Sequence, residues 1–324
     1  MRLAHFNRVE IADSFLWDNK MNRFFWLVLA LCVTVMGCSD GPERASVDFT
    51  KRVSVEKPTQ IDSSNDVVHM AIGAMVSPKE TLSSYQELVN YLGNTLGRKI
   101  NIIQRKTYQE INDMLATGEV SMAFVCSGPY VTGKEKHTLE LLVAPEVNGS
   151  HFYRSYIIVN RDGPEKTLSD LRGKTFAFTD PDSNTGRLSP TSMLHDMGET
   201  PETFFGSVIY TYSHDNSIMA VSKGLVSGAS VDSLIWDYYS RINPEITSAT
   251  RIIAKSEEYG IPPFVVSPAM DERTRKMVKN TLLEMHSDPE GSAILEKLMI
   301  DRFVEPQDSW YDSIRRITRR NQAG

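Results

Sequence analysis

Residues 174–190 read KTFAFTDPDSNTGRLSP and combine an apolar strand pattern, a polar turn and the start of a helix pattern. Asp180 and Pro181 end the strand. Four residues that suit a helix start or a close backbone approach follow, namely Ser183, Asn184, Thr185 and Gly186. Unpaired N–H groups at such a helix start can bind an oxyanion. The same residues can also form an ordinary capped helix. Considered alone, this stretch favours the capped helix over an oxyanion site.

A helix start of this kind supplies too little free energy to hold an anion by itself. The helix dipole contributes about 0.3–2 kcal/mol, whereas micromolar binding requires about 8 kcal/mol. Two other predicted strand–helix junctions offer further groups. In TYSHDNSIM (211–219), His214 could donate to an anion or could be an exposed capping residue. Asp232 in VDS (231–233) could face the same site or could simply cap a helix.

Strand and helix patterns alternate along the chain from Val67 onward. The predicted strands are 67–75, 100–104, 120–125, 139–145, 152–160, 174–180, 208–212, 228–232, 251–256 and 263–268. The predicted helices are 82–97, 108–118, 167–173, 187–198, 214–224, 233–241, 271–286, 290–299 and 308–319. This alternation predicts an α/β fold with mostly parallel sheets and helices on both faces of each sheet.

The repeat of the scheme in each half of the chain predicts two lobes, joined by two crossover strands near 152–160 and 256–264. Residues 67–153 and 260–324 form the first predicted lobe, and residues 154–259 form the second. In folds of this class, ligands bind at the carboxyl ends of strands or between lobes. The polar strand–helix junctions are therefore the candidate binding site.

The N-terminal region carries a predicted secretion signal. Residues 24–36 read FFWLVLALCVTVM, a run too short to span a bilayer, which needs about 20 residues. Arg23 precedes the run, and the VMGC sequence that ends at Cys38 resembles the lipobox of bacterial lipoproteins. This order predicts a signal peptide over residues 1–37 and lipidation of Cys38. An uncleaved anchor or a buried cysteine is the alternative.

The segment between the predicted lipid and the first strand is polar and lacks periodicity, so residues 38–66 are predicted to be the lipidated cysteine and a flexible tether. Met21 would begin a signal peptide of ordinary shape, and residues 1–20 are then a mis-assigned start. The predicted location is the periplasm or the cell surface, with the lipid as membrane anchor.

Composition and motifs exclude several function classes. The 324-residue chain is 41% hydrophobic and has a formal net charge of −6, so no nucleic-acid partner is predicted. Of three cysteines, only Cys126 falls in the predicted folded part, so no intramolecular disulfide is expected. The histidines have no metal-binding spacing, and neither a P-loop nor a G-x-S-x-G elbow occurs. We therefore predict no metal, no cofactor and no enzymatic activity.

Four segments together resemble the phosphate/phosphite/phosphonate-binding proteins of ABC transporters. They are HFYRSYIIVNRD (151–162), TLSDLRGKTFAFTDPDSNTGRLSP (167–190), SHDNSIMAVSKG (213–224) and VDS (231–233). They match a Y-x-S crossover, a D-P-x-S-T-S-G-x-x-x-P loop, an S-H-D/E helix start and a V-D-S turn. The resemblance runs from about residue 67 to about residue 268. It implies a two-lobed type II periplasmic binding protein.

The resemblance implies a role for each matching residue. The loop residues would surround the phosphoryl oxygens: Ser183, Asn184, Thr185 and Gly186. Tyr153 in the crossover and His214 would donate further hydrogen bonds, and Tyr108 would contact the ligand from the first lobe. Asp232 would face the site. Ser127, in a loop that varies within the family, completes the predicted ligand-binding residues.

The departures from the family pattern leave the anion open among phosphate, phosphite and phosphonate. A carboxylate beside an anion is repulsive unless one of the two is protonated, so Asp232 would favour a ligand with an O–H or N–H and disfavour sulfate. Asn184 and Thr185 replace a threonine and a serine of the pattern, and both can still donate. Pro262 stands where some aminophosphonate binders carry an aspartate, which argues against an amino-substituted ligand.

Taken together, these patterns predict an extracytoplasmic lipoprotein that captures a small phosphorus oxyanion between two lobes and delivers it to an ABC permease. An alternative is a sensory lipoprotein of the same fold, which would report the ligand to a membrane signalling protein. A phosphatase ranks last, because the sequence offers no metal cluster and no convincing nucleophile–base pair.

Overall fold

Residues 67–323, which this computed structural model describes, form two mixed β-sheets with helices packed on their faces. The strands are β1 (Val67–Ile72), β2 (Lys99–Ile103), β3 (Met122–Phe124), β4 (Glu140–Glu146), β5 (Phe152–Tyr153), β6 (Ser155–Asn160), β7 (Thr175–Phe178), β8 (Ser207–Tyr210), β9 (Gly228–Asp232), β10 (Thr250–Lys255), β11 (Tyr259–Gly260), β12 (Phe264–Val266) and β13 (Arg302–Val304). The predicted signal peptide, the lipidated Cys38 and the tether lie outside the described residues.

The α-helices follow the strands in an alternating order. They are α1 (Pro78–Leu96), α2 (Tyr108–Thr117), α3 (Ser127–Glu135), α4 (Ser189–His195), α5 (Pro201–Phe204), α6 (His214–Ser222), α7 (Ser233–Ile242), α8 (Pro244–Ser248), α9 (Glu272–Glu284), α10 (Pro289–Lys297) and α11 (Asp312–Ala323). Within residues 67–323, none of these helices combines the length and the apolar character that crossing a membrane requires.

The strand order separates the chain into two sheets. The first sheet has the order β13-β4-β12-β3-β1-β2, and the second has the order β10-β6-β9-β7-β8. We name the first sheet with its helices the first lobe and the second sheet with its helices the second lobe. The two crossovers lie side by side as a short antiparallel pair, in which Tyr153 faces Tyr259 and Phe152 faces Gly260.

The expectation of mostly parallel sheets is wrong. Among the described strands, parallel pairing joins β1 to β2 and β3, and β7 to β8 and β9, whereas the five other pairings in the two large sheets are antiparallel. The double crossover accounts for four of these five pairings, namely those of β6 and β12. The β6 strand follows the crossover from the first lobe, and β12 follows the return from the second, so each runs against the βα units of the sheet that it joins.

Apolar side chains cover both faces of each sheet, as the alternation of side chains along a strand requires. In β1, Met70 and Ile72 point into one apolar cluster, and Ala71 between them points into another. In β6, Ile157 and Ile158 likewise belong to clusters on opposite faces. Each sheet is therefore covered on both faces, and the cores also meet between the lobes, since Val76 of the first lobe belongs to one cluster of the second.

The helix α3 begins where the sequence predicts a loop. Its sequence, SGPYVTGKE, contains glycine and proline, which disfavour helices in isolation. Both glycines are enforced by packing: a Cβ on Gly128 would overlap the carbonyl oxygen of Asp182, and one on Gly133 would meet the side chain of Leu139. Tertiary packing therefore determines this helix, and local propensity could not reveal it.

Candidate functional site

The loop after β7 forms a single π-helical turn (Asn184–Leu188) that leads into α4. The Ser183 hydroxyl oxygen accepts a hydrogen bond of 3.0 Å from the Gly186 N–H, so this side chain caps the turn. The carbonyl oxygen of Thr185 accepts hydrogen bonds from the hydroxyls of Ser155 (2.7 Å) and Ser230 (2.6 Å). Such turns interrupt regular helices and are frequent at functional sites. Here the turn is fixed from two neighbouring strands.

Six buried polar atoms near this turn have no hydrogen-bonding partner among the described residues. They are Tyr108 Oη, Thr179 Oγ1, Asn184 Oδ1, Thr185 Oγ1, Ser213 Oγ and His214 Nε2. Buried polar groups in proteins are normally paired, because an unpaired one costs about 1–3 kcal/mol. Tyr108 belongs to the first lobe and the other five to the second, so a small polar ligand held between the lobes could pair with groups from both sides.

The histidine at the start of α6 is fully buried and presents a neutral N–H. Its Nδ1 accepts a hydrogen bond of 3.0 Å from the Asp232 N–H, which places the ring proton on Nε2. Burial lowers the pKa of His214 to about 3, against a smaller opposing effect of Asp215. His214 therefore offers a hydrogen-bond donor whose state does not change near neutral pH. The prediction that it is an exposed cap does not fit this burial.

Asp232 caps α7 and also lies beside the site. One of its carboxylate oxygens accepts hydrogen bonds from the N–H groups of Leu234 (2.7 Å) and Ile235 (3.4 Å). Burial raises the pKa of Asp232 to about 7 despite these bonds. The helix cap is therefore observed, and a contact of Asp232 with the ligand stays a prediction. A carboxyl group whose pKa lies near 7 can accept a hydrogen bond from a ligand O–H at little cost in free energy.

Two tyrosines approach the turn, one in the first lobe and one in the crossover. The Asn184 amide donates a hydrogen bond of 3.1 Å to the hydroxyl of Tyr153 in β5. Tyr108 begins α2, and its backbone N–H donates to the carboxylate of Asp180 in the second lobe, at 3.1 Å. Burial raises the pKa of both phenols well above the ordinary value, so both hydroxyls keep their protons and can donate.

The structure assigns structural contacts to three of the residues predicted to bind ligand. Ser183 caps the π-helical turn, and the hydroxyl of Ser127 donates a 2.7 Å hydrogen bond to the carbonyl of Gly260 in the crossover. A Cβ at Gly186 would overlap Thr179 Oγ1, so this glycine is required by packing. Their direct contact with ligand stays a prediction.

Four polar residues of the site were missed by the sequence reasoning. They are Ser155, Thr179, Ser213 and Ser230. Ser155 is the serine of the quoted Y-x-S motif, and Ser213 precedes His214 in the quoted S-H-D segment, so the motifs held a signal for these two. For Thr179 and Ser230, only the packing of β7 and β9 against the turn brings the side chain to the site.

Direct hydrogen bonds join the two lobes next to the site. The backbone N–H of His214 donates to the carbonyl of Met75 at 2.9 Å. The N–H of Ser77, just before α1, donates to Asp215 at 2.9 Å, and the hydroxyl of Tyr239 donates to the other oxygen of that carboxylate at 3.1 Å. The candidate site is therefore enclosed by residues of both lobes.

Comparison with known proteins gives a consistent result. The family model of the ABC transporter, phosphonate, periplasmic substrate-binding protein matches residues 70–311. The Phosphate-import protein PhnD of Mycolicibacterium smegmatis is 29% identical over 155 residues, which are 44% of this chain and 47% of that protein, so the match spans about half of that relative. The Phosphonates-binding periplasmic protein of Escherichia coli is 22% identical over 262 residues, 78% of this chain and 77% of that protein.

A solved structure supports the fold. The structure of PhnD1 from Prochlorococcus marinus in complex with methylphosphonate has a TM-score of 0.72, at 18% identity, over 79% of this chain and 98% of that chain. The predicted two-lobed α/β fold is thereby confirmed, apart from the strand directions. The family model extends from β1 to the last turn before α11. This chain therefore belongs to the family of periplasmic substrate-binding proteins of phosphonate ABC transporters, whose members are solute-binding components rather than enzymes.

Proposed function

We propose that this protein captures a small phosphorus oxyanion between its two lobes and delivers it to the permease of an ABC transporter. The observation that carries the proposal is the set of six unpaired buried polar atoms, contributed by both lobes. His214 and the two tyrosines supply neutral donors, which suit an anion that must be bound and then released. The names of the relatives, a phosphate importer and a phosphonate binder, agree with this ligand class.

The second part of the proposal concerns the lobes. We infer that residues 67–153 and 260–324 move as one lobe and residues 154–259 as the other. The sheets support this division, because the second sheet is built only from strands between Ser155 and Lys255. Because the Tyr108 N–H already bonds to Asp180 of the second lobe, opening of the lobes would separate Tyr108 from the donors of that lobe and expose the ligand.

The panel of anions that tests the proposal contains phosphate, phosphite, methylphosphonate and sulfate. At least one phosphorus anion is expected to raise the melting temperature by several degrees and to release calorimetric heat, because a ligand that binds only the folded protein stabilises it by mass action. Sulfate has no O–H to donate to Asp232 near neutral pH, so it should bind at least tenfold more weakly. If every phosphorus anion leaves melting and heat unchanged, or sulfate binds best, the proposed function is wrong.

We also propose that the mature chain is anchored through lipid on Cys38. The support is the order of Arg23, the apolar run and the cysteine in the sequence. In the producing cell, the unaltered chain is expected in the membrane fraction and the Cys38→Ala variant in the soluble extracytoplasmic fraction. A Cys126→Ala variant is the matched control, since that thiol is buried. Identical fractionation of Cys38→Ala and the unaltered chain would contradict lipid anchoring.

A further inference from the structure

The C-terminal helix α11 spans the boundary between the lobes. Its first half belongs to the first lobe, where Ile314 and Ile317 are buried in an apolar cluster with Tyr130 and Tyr311. The ring centroids of these two tyrosines lie 4.4 Å apart. The last turn of the helix instead presents polar side chains to the second lobe. One helix is thus anchored in the first lobe by apolar packing and bonded to the second lobe at its other end.

Two side chains of that last turn bond to the second lobe. The Arg320 guanidinium donates to the carboxylate of Asp196 at 2.7 Å, to the carbonyl of Ser192 at 2.6 Å and to the hydroxyl of Ser192. The Asn321 amide donates to the carbonyl of Leu188 at 2.9 Å. Leu188, Ser192 and Asp196 are spaced four residues apart, so they form one stripe along α4 and the turn before it. The end of α11 is therefore bonded to α4 from the turn that precedes it to the residue that follows it.

One of these bonds holds the turn of the candidate site. The carbonyl of Leu188 belongs to the π-helical turn that carries the unpaired side chains of Asn184 and Thr185. Two serines of the second sheet fix the carbonyl of Thr185 from one side, and Asn321 fixes that of Leu188 from the first lobe. The position of the turn relative to the first-lobe hydroxyl of Tyr108 thus depends on α11.

We propose that α11 holds the anion-binding turn against the first lobe, and that Arg320 and Asn321 are positioning residues for the bound anion. Both residues act through the turn and α4 and do not touch the ligand. This inference rests on the proposed function, because it requires the turn to bind the anion. Bonds that keep the lobes together before the ligand arrives raise the fraction of molecules ready to bind, and the apparent Kd falls by the same factor.

The experiment is calorimetry on the full chain with phosphate, phosphite and methylphosphonate, well below the melting temperature. Asn321→Ala should raise the Kd about fivefold, the change expected for one net hydrogen bond. Arg320→Ala should raise it about tenfold, since three bonds are lost but the ion pair with Asp196 is partly exposed. Because both residues act through the turn, each variant should weaken every anion that binds by the same factor.

A charge exchange tests whether the bond between the lobes is the cause. Arg320→Glu places a carboxylate beside Asp196 and should weaken binding further than Arg320→Ala does. Adding Asp196→Arg to that variant restores an ion pair of opposite direction and should recover about threefold in affinity. The two positions belong to different lobes, so such a recovery measures their coupling and not the stability of one lobe.

Arg315→Ala is the matched control. Arg315 lies in the same helix, but its ion pairs with Asp308 and Asp312 stay within the first lobe. Its substitution should lower the melting temperature and leave each Kd unchanged. Arg319→Ala removes an exposed charge of the last turn and should change neither quantity.

The outcomes separate this inference from the proposed function. Unchanged or tighter binding in folded Arg320→Ala and Asn321→Ala variants overturns the positioning role and leaves anion capture intact. An equal loss of affinity in Arg315→Ala also overturns it, since the stability of α11 would then matter and not its bonds to the second lobe. If none of the three anions binds to the unaltered chain, the proposed function fails and the positioning role fails with it.

Discussion

The His214→Ala variant is expected to bind the tightest phosphorus anion of the panel about 100-fold more weakly, because a hydrogen bond to a charged group contributes about 1.5–3 kcal/mol. The substitution removes the Nε2 donor, which has no partner among the described residues. It also removes the acceptor of the Asp232 N–H. Calorimetry at neutral pH measures the change. The loss should be independent of pH between 6 and 8, since burial holds the pKa of His214 at about 3, far below this range.

His286→Ala provides the matched control for that experiment, because His286 is exposed on the surface. Its Kd should equal that of the unaltered protein. The melting temperature of His214→Ala without ligand distinguishes a lost donor from a damaged fold. A folded His214→Ala variant with unchanged affinity would show that the anion is bound elsewhere.

The Gly186→Ala variant is expected to lose about 3 kcal/mol of unfolding free energy, within the range for overpacking a tight site. The added Cβ would overlap Thr179 Oγ1 and lie 2.8 Å from Thr179 Cβ and 2.9 Å from Ser183 Oγ. The side chains of Thr179 and Ser183 cannot easily move away from the new methyl group, because Thr179 follows β7 and Ser183 caps the turn. The melting temperature should fall by about 6–12 °C, and anion binding should weaken in the same variant, since the turn carries Asn184 and Thr185.

Combining Gly186→Ala with Thr179→Ala tests the stated cause. The second substitution removes the hydroxyl that the new methyl group would overlap, so the double variant should be more stable than the sum of the single effects predicts. Strictly additive losses would indicate that the overlap with Thr179 is not the origin of the destabilisation.

The two-lobed fold could be predicted because the strand and helix periods alternate clearly, but strand direction could not. A pattern such as FVV in β12 gives no information about which way the strand runs in its sheet. Direction follows from where the chain crosses between lobes, and three-residue strands contain too few side chains to show this. The helix α3 was missed for a related reason, since its glycines are dictated by contacts with residues distant in sequence.

The quoted motifs identify residues that the structure joins by hydrogen bonds, but the role of each in binding a ligand stays a prediction. The bonds join Tyr153 to Asn184, Tyr108 to Asp180 and Asp232 to His214. The direction of a hydroxyl depends on its nearest acceptor, however, and for Ser127 that acceptor is a carbonyl 133 positions away in the chain. Ser183 instead meets its partner three positions away. A sequence motif identifies a residue type and a position, and only the packing decides which side of the side chain faces the ligand.

The first turn of α6 lies between the candidate site and the first lobe. Nε2 of His214 has no partner among the described residues, while its backbone N–H and the adjacent carboxylate of Asp215 bind Met75 and Ser77 in the other lobe. Under the proposed function, capture of an anion and contact between the lobes are therefore thermodynamically linked through one turn of helix. The measured dissociation constant of the ligand then equals the intrinsic constant divided by the fraction of molecules in which these contacts between the lobes are already formed. Residues that do not contact the anion can therefore change the affinity for it. Breaking the contacts between the lobes lowers this affinity and so favours release of the anion.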